Sequence, residues 1–220
     1  PLAVLRIHAQ NALQAPDPAD RDAALRQLEG GIERATRVVA QLLTLARLEP
    51  AAGSRHLAQL DLLALAREEL AELTPLALAR EQELALEVEG EGDGEGEADA
   101  GGARPADFHL VADAPCLGIL LQNLVGNAVQ HTPAGGRIRV LLEAGAEALT
   151  LRVQDSGPGV PPALRSKVFE RFFRAGNGSG AGLGLAIVDR IVALHHGAIT
   201  LGDSPLGGLE VRVSLPRAGR

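Results

Sequence analysis

Two asparagines four residues apart, Asn123 and Asn127, are the first candidates for chemistry in this sequence. Apolar residues recur around them at helical spacing, so residues 117–132 are predicted to form a helix with one buried face. Residues four apart on a helix share a stripe. Carboxamides beside an apolar face are costly unless they are hydrogen-bonded, and a metal ion with a phosphate chain would satisfy them. An amide pair at a solvated helix edge is the alternative, and this helix alone leaves both open.

A second candidate is the carboxylate of Asp155, in residues 154–159 (QDSGPG) at the end of a predicted strand. Gly157 and Gly159 would let a flat ligand approach the backbone, and the carboxylate could accept a hydrogen bond from an exocyclic amine such as adenine N6. Because the same residue types form ordinary turns, a turn without a ligand is the alternative here.

A third candidate is the glycine-rich segment 178–185 (GSGAGLGL), which opens a predicted helix over residues 183–195. Backbone N–H groups at such a helix start form a cradle for anions. The segment lacks the Gly-Lys-Ser/Thr of a P-loop, and no strand leads into it as in a dinucleotide-binding turn. At the far end of this helix, His195 and His196 are interpreted as a C-terminal cap feature rather than a metal-binding pair.

The composition limits the function classes. With 220 residues, one or two domains are expected, and with four Phe and no Tyr or Trp the core must be aliphatic. The net charge is −7, and residues 87–99 hold seven acids and no base, so the remainder is formally neutral and no nucleic-acid partner is indicated. No apolar run reaches about 18 residues, so no membrane span is predicted. The start at Pro1, without an initiator Met, suggests a fragment.

The first 49 residues are predicted to form a helical hairpin, broken by the prolines at 16 and 18. Its second helix carries a sustained heptad seam that is broader than a two-stranded coil needs; the apolar positions are 25, 28, 32, 35, 39, 42 and 46. A broad stripe on two helices favours a four-helix bundle, so a homodimer through residues 1–49 is predicted. Packing of the hairpin on its own C-terminal domain is the alternative.

After a linker at 50–55, residues 56–220 alternate between strand and helix patterns. Asp61 and Asp113 are predicted helix N-caps, and Pro75 is expected to kink or interrupt the first of these helices. The acidic glycine-rich segment 89–102 is predicted to be a flexible surface loop, with calcium binding as a weaker alternative. The predicted strands cover 56–60, 84–88, 108–112, 137–143, 148–154, 198–201 and 209–215. Together they indicate helices on one face of a largely antiparallel sheet, an α+β fold.

The order of the candidates is more specific than any one of them. An N-x-x-x-N-A helix, then D-x-G-x-G, then the aromatic patch 169–173, then G-x-G-x-G-L resembles the N, G1, F and G2 boxes of the GHKL (Bergerat) ATP-binding fold of sensor histidine kinases. Residues 31–49 resemble the second dimerisation helix of QseC-type kinases, which act with OmpR-class response regulators. The resemblance implies a dimerisation hairpin at 1–49 and a GHKL catalytic domain at 56–220, cytoplasmic parts of a bacterial inner-membrane protein.

The resemblance also implies roles for individual residues. Asn127 would ligate Mg²⁺ on ATP, Asn123 stands where GHKL ATPases keep a water-activating glutamate, and Asp155 would accept from adenine. Residues 174–179 would be a mobile lid anchored by the aromatic patch. The remaining residues expected to contact ATP are Gln130, His131, Gly157, Gly159, Phe172, Arg174, Gly180, Ala181, Gly182, Leu183 and Gly184.

The sequence departs from the family at two places. Gln130 stands where the family usually has Lys or Arg, and His131 where Tyr is common, so weaker nucleotide binding is expected. The phosphoacceptor histidine of the family lies in an H-E-x-x-x-P-L string, of which Pro1 and Leu2 resemble the last two residues. The acceptor is therefore expected upstream, and this fragment is not expected to phosphorylate itself. A non-catalytic GHKL nucleotide-binding regulatory module is the alternative function.

Overall fold

The computed structural model describes residues 2–15, 17–48, 56–90, 106–174 and 181–217. The chain divides into two compact units, Pro1–Glu49 and Pro50–Arg220. The linker predicted at 50–55 lies outside the described residues, as does the acidic segment predicted as a flexible loop, apart from its first two residues, Glu89 and Gly90. In the part of the chain that is described, no helix combines the length and the apolarity needed to cross a bilayer.

The first unit consists of two helices in contact with each other, α1 (Leu2–Gln14) and α2 (Pro18–Arg47). Asp17 caps α2 by accepting from the Ala19 N–H at 3.1 Å, and Pro18 is tolerated there because the first helical turn lacks intrahelical acceptors for its N–H groups. Within one copy of the chain, the predicted seam stays largely uncovered. Leu25, Ile32 and Val39 are 46%, 51% and 56% exposed.

Besides two short 3-10 helices, Pro162–Leu164 and Lys167–Phe169, the described part of the second unit contains three α-helices and seven strands. In chain order they are β1 (Ala58–Asp61), α3 (Leu62–Leu78), β2 (Glu83–Gly90), β3 (His109–Ala112), α4 (Ala114–His131), β4 (Arg137–Ala144), β5 (Ala148–Asp155), α5 (Gly184–Leu194), β6 (Ala198–Asp203) and β7 (Leu209–Pro216). Five strands form one sheet in the order β2-β4-β5-β7-β6, in which only β2 and β4 are parallel. β1 and β3 form a separate antiparallel pair. The predicted α+β class and largely antiparallel sheet are confirmed.

Alternation along the strands divides the sheet into an apolar and a charged face. One face, together with the apolar stripe of α4, forms an aliphatic core; its buried members include Val140, Leu142, Leu149, Leu151, Val213, Leu117, Leu121 and Val125. The other face carries ion pairs, such as Arg139 with Glu87 at 2.9 Å and Arg152 with Glu89 at 2.7 Å. The alternation of apolar and polar residues along the strands therefore determines which face of the sheet α4 covers.

Both predicted N-caps are present, but the helix is not interrupted at Pro75. Asp61 accepts from Leu63 and Ala64, and Asp113 accepts from Cys116. Of the two effects expected of Pro75, the interruption is wrong, because α3 continues to Leu78, while the kink stays a prediction. Pro75 lies in the last turn on the exposed side, where water can replace the lost hydrogen bond to the backbone.

Helices α4 and α5 are joined by the side chain of His195. Its Nδ1 lies 2.9 Å from the Ile191 carbonyl oxygen, which caps the end of α5 as predicted. Its Nε2 accepts from the Asp113 N–H at 3.1 Å, at the start of α4. This pair of contacts requires the neutral ring with the proton on Nδ1.

Candidate functional site

The two asparagines of α4 face the first turn of α5. Both are partly buried, and a Cβ atom built on Gly184 would lie 3.1 Å from Asn123 Oδ1 and 3.1 Å from Asn127 Nδ2. Asn123 Nδ2 donates to the Ile119 carbonyl at 2.8 Å, so its amide oxygen is the atom directed at α5. The predicted stripe is thus present, and its neighbour is a glycine because a side chain there would crowd both amides.

The N-terminus of α5 has the character of an anion site. Its N-cap residue, Leu183, forms no side-chain cap hydrogen bond to the N–H groups of the first helical turn. The Leu183 side chain itself is fully buried, and Ala181 and Gly182 are partly buried. A phosphate at this end would be favoured by the backbone N–H donors of the first turn and by the helix dipole.

Gly182 is packed against the aromatic segment that precedes it in the sequence. Its φ is +69°, and a Cβ on it would lie 2.5 Å from the Phe173 carbonyl oxygen, so only glycine fits. The Phe172 N–H donates to the Gly182 oxygen at 2.8 Å. Phe172 has a φ of +67° and is 60% exposed, and Arg174 is exposed. Gly180 and most of the predicted lid, residues 175–179, lie outside the described residues.

The second cluster surrounds the carboxylate of Asp155, at the end of β5. Asp155 is only 7% exposed, and its Oδ1 accepts from the N–H groups of Gly157 at 2.8 Å and Leu209 at 3.2 Å. Both bonds use Oδ1, which leaves Oδ2 to accept from a ligand. Burial raises the pKa of Asp155, while those two hydrogen bonds and the nearby His131 oppose the rise.

Gly208 belongs to this cluster, although its place between two strands indicates only a turn residue. Its N–H donates to the Asp155 carbonyl at 3.1 Å, and a Cβ on it would lie 2.1 Å from Asp155 Oδ1. Gly159, which has a φ of +68°, lies close to Gly208, since a Cβ on Gly159 would lie 3.3 Å from the Gly208 carbonyl oxygen. In the sequence, the only indication that Gly208 belongs to the site is its position directly before β7, the strand that pairs with β5.

Helix α4 links the two clusters. A Cβ on Gly157 would lie 2.8 Å from the His131 carbonyl oxygen, so the Asp155 turn packs on the end of α4, while the asparagines sit further up the helix against Gly184. Gln130 is partly buried on the last turn. The structure therefore brings the predicted residues of α4, the Asp155 turn and the start of α5 together around one helix.

The donor set suits a nucleotide with a magnesium ion. Among the residues described, no three His, Cys, Asp or Glu side chains are grouped as they would be in a protein-only metal site. Any cation here would be held by amide oxygens, by water and by the phosphates of a ligand, because Mg²⁺ keeps several waters and is commonly bound through substrate phosphates with few protein ligands. Asn127, partly buried beside the open helix start, is the residue placed to supply such an oxygen.

Comparison with known families defines the class of protein. Residues 112–219 match the family model described as histidine kinase-, DNA gyrase B- and HSP90-like ATPase. Residues 112–219 belong to that family. They include α4, the Asp155 turn and α5. The match confirms the GHKL resemblance.

Sensor kinases are the relatives that the chain matches over nearly its whole length. It is 38% identical over 221 residues to the sensor protein kinase PmrB of Pseudomonas aeruginosa, covering 99% of this chain and 43% of the relative. It is 34% identical over 217 residues to the sensor protein QseC of Salmonella typhimurium, covering 97% and 44%. The crystal structure of full-length ShkA in complex with AMPPNP matches with a TM-score of 0.72 and 29% identity, covering 99% of this chain and 43% of that one. The chain thus spans less than half the length of these relatives.

Proposed function

We propose that this chain is the catalytic region of a two-component sensor histidine kinase, which binds Mg-ATP and transfers the γ-phosphoryl group to a histidine for relay to a response-regulator aspartate. One observation carries the proposal. The amide pair in the C-terminal half of α4 faces a helix start whose N-cap residue makes no side-chain cap hydrogen bond, and a buried carboxylate lies in the turn packed against the C-terminal end of α4. This spacing of an anion site and a hydrogen-bond acceptor fits a nucleotide, with phosphates at α5 and the base at Asp155.

At the phosphate end, we assign Asn127 to the metal and the backbone around Gly182 and Gly184 to the phosphates. When bound, Mg²⁺ would neutralise the charge that develops on the transferred group. Asn123 cannot remove a proton from water, because an amide is not a base, so the site favours transfer over hydrolysis. Its Nδ2 bond to Ile119 holds that amide in place.

At the base end, Asp155 is proposed to accept the adenine N6–H at Oδ2, since Oδ1 is used by Gly157 and Leu209. Gly157 and Gly159 carry no side chains that would obstruct a flat ring. His131, close enough to affect the pKa of Asp155, would lie beside the base. Gln130, Phe172, Arg174, Gly180, Ala181 and Leu183 stay proposed contacts of the nucleotide.

For the helical unit, we propose a homodimer, because the seam of α2 remains about half exposed in a single copy. The histidine that receives the phosphoryl group is proposed to lie outside these 220 residues, since none of the six histidines stands in the H-E-x-x-x-P-L context. The partner is proposed to be a response regulator of the OmpR class. The parent protein is proposed to lie in the bacterial inner membrane, with this region in the cytoplasm.

The second candidate is a nucleotide-binding regulatory module without phosphoryl transfer, and Gln130 is the observation that favours it. A neutral amide there lacks the charge-assisted contact to phosphate that Lys or Arg would make. The test is to join the chain to the upstream segment that carries the H-E-x-x-x-P-L histidine and to supply γ-labelled ATP. Kinase activity predicts acid-labile, base-stable label on the histidine. Nucleotide binding without label supports the module instead.

A further inference from the structure

Helix α4 ends without the glycine that usually closes a helix. It stops at His131, and Thr132 and Pro133 follow; the Thr132 N–H still donates to Ala128 at 2.9 Å. Pro133 has no N–H, so it can neither extend the helix nor cap it. The carbonyls of the last turn, including Val129, therefore need donors from elsewhere in the chain.

These donors come from the connection between α3 and β2. Gln82 is only 4% exposed, and its Nε2 donates to the Val129 carbonyl at 3.0 Å and to the Thr132 carbonyl at 2.6 Å. Arg80 Nη1 adds a second bond to Val129 at 3.1 Å. Glu81, between them, has a φ of +58° and turns the chain so that both side chains reach α4.

The same end of α4 carries the base side of the site. The His131 carbonyl is the group against which Gly157 packs, and the Gly157 N–H holds Asp155 Oδ1 at 2.8 Å. A shift of the helix end would therefore move the Gly157 turn and reorient the carboxylate. Gln82 is connected to Asp155 by three successive contacts, although helix α4 and strands β2, β3 and β4 lie between the two residues in the sequence.

From these contacts we infer that Gln82, assisted by Arg80, is a positioning residue for nucleobase recognition, which deepens the proposed function and rests on it. Gln82 touches no nucleotide. It holds the end of α4 where the Asp155 turn can present its free carboxylate oxygen to adenine. A buried amide is suited to this task because its two N–H groups satisfy two carbonyls without introducing a charge.

The test uses the full chain and the variant Gln82→Met, which keeps the volume and removes the donor. Arg152→Met is the matched control, since the Arg152 side chain is only 16% exposed and pairs with Glu89 and Glu143 on the opposite, charged face of the sheet. Binding of Mg-AMPPNP and Mg-GMPPNP is measured by calorimetry well below the melting temperature. Both variants should melt earlier, but only Gln82→Met should reduce the preference for adenine over guanine, by about tenfold.

An unchanged adenine preference in Gln82→Met, with both variants destabilised alike, would show that Gln82 is only structural. Should Gln82→Met fail to fold, Arg80→Met at an exposed position replaces it, with a loss of about threefold expected and no loss contradicting the inference. A different result would contradict the proposed function, namely that the wild-type chain does not bind Mg-AMPPNP. If only the role of Gln82 is wrong, the wild-type chain still binds Mg-AMPPNP and this binding still depends on Asp155.

Discussion

Replacing Gly208 by alanine tests the base end of the site, because the added methyl group has no space. The new Cβ would lie 2.1 Å from Asp155 Oδ1, whereas carbon and oxygen in close contact are about 3.3 Å apart, so one group must move by about 1.2 Å. The backbone of Gly208 is held by hydrogen bonds to Asp155 at 3.1 Å and to Ser204 at 2.9 Å. The same Cβ would also lie 2.6 Å from the Asp155 carbonyl oxygen and 2.6 Å from the Gly157 nitrogen. The backbone of the Asp155 turn is therefore expected to shift and to carry the carboxylate away from its position.

The magnitude follows from what the carboxylate loses. A hydrogen bond to a charged acceptor is worth about 1.5–3 kcal/mol, so losing the contact with adenine should weaken binding of an ATP analogue by about ten- to a hundredfold. Crowding of this kind also costs about 1–3 kcal/mol of folding stability. The Kd is measured by isothermal titration calorimetry with Mg-AMPPNP, at a temperature where differential scanning fluorimetry shows the variant to be folded.

Gly202→Ala provides the matched control, because nothing lies within 4 Å of a Cβ at that position. This variant should bind the analogue as the wild type does. The reasoning is refuted if folded Gly208→Ala binds Mg-AMPPNP within twofold of the wild type. Such a result would mean that the orientation of Asp155 does not determine nucleotide affinity.

Three further predictions concern the pH response, the metal and the dimer. Burial raises the pKa of Asp155, and a bound adenine N6–H favours the charged carboxylate. The affinity for Mg-AMPPNP should therefore increase as the pH rises from 3.8 through that raised pKa. Calorimetry should show this dependence on pH in the wild type and not in Asp155→Asn. Asn127→Ala should abolish the strengthening of AMPPNP binding by Mg²⁺ while leaving metal-free binding within about threefold, and an unchanged Mg²⁺ effect would contradict the metal assignment. Ile32→Asp should convert a dimer to a monomer in sedimentation velocity at tens of micromolar, because a charge enters the seam, whereas Gln27→Asp, off the seam, should sediment as the wild type does.

Much of the fold can be predicted from the sequence, since local rules determine it. The helical stripe of α4 and the N-caps Asp61 and Asp113 depend on residues within a few positions of each other. The strands β4 and β5 alternate strictly enough to show which face is buried. Pro75 was the exception, because the cost of a proline depends on whether water can reach the backbone around it.

The sequence predicts which residues of each helix or strand belong to the site, but it does not predict the contacts between helices and strands. Asn123, Asn127 and Asp155 were recognised from their spacing and from the neighbouring glycines. Gly208 was missed because its closeness to Asp155 arises only from the pairing of β5 with β7. Gln82 was missed because a glutamine in a polar turn is usually solvated, and only the packing of α3 against α4 buries it.

The most direct test of the account is a titration of the wild-type chain with AMPPNP, with and without Mg²⁺. We expect the chain to bind the analogue saturably at one site, more tightly with Mg²⁺, and to lose this binding together with the Asp155 carboxylate. Absence of binding at millimolar analogue, or binding that neither Mg²⁺ nor Asp155→Asn changes, would contradict the claim that α4 and the two glycine clusters form a nucleotide site.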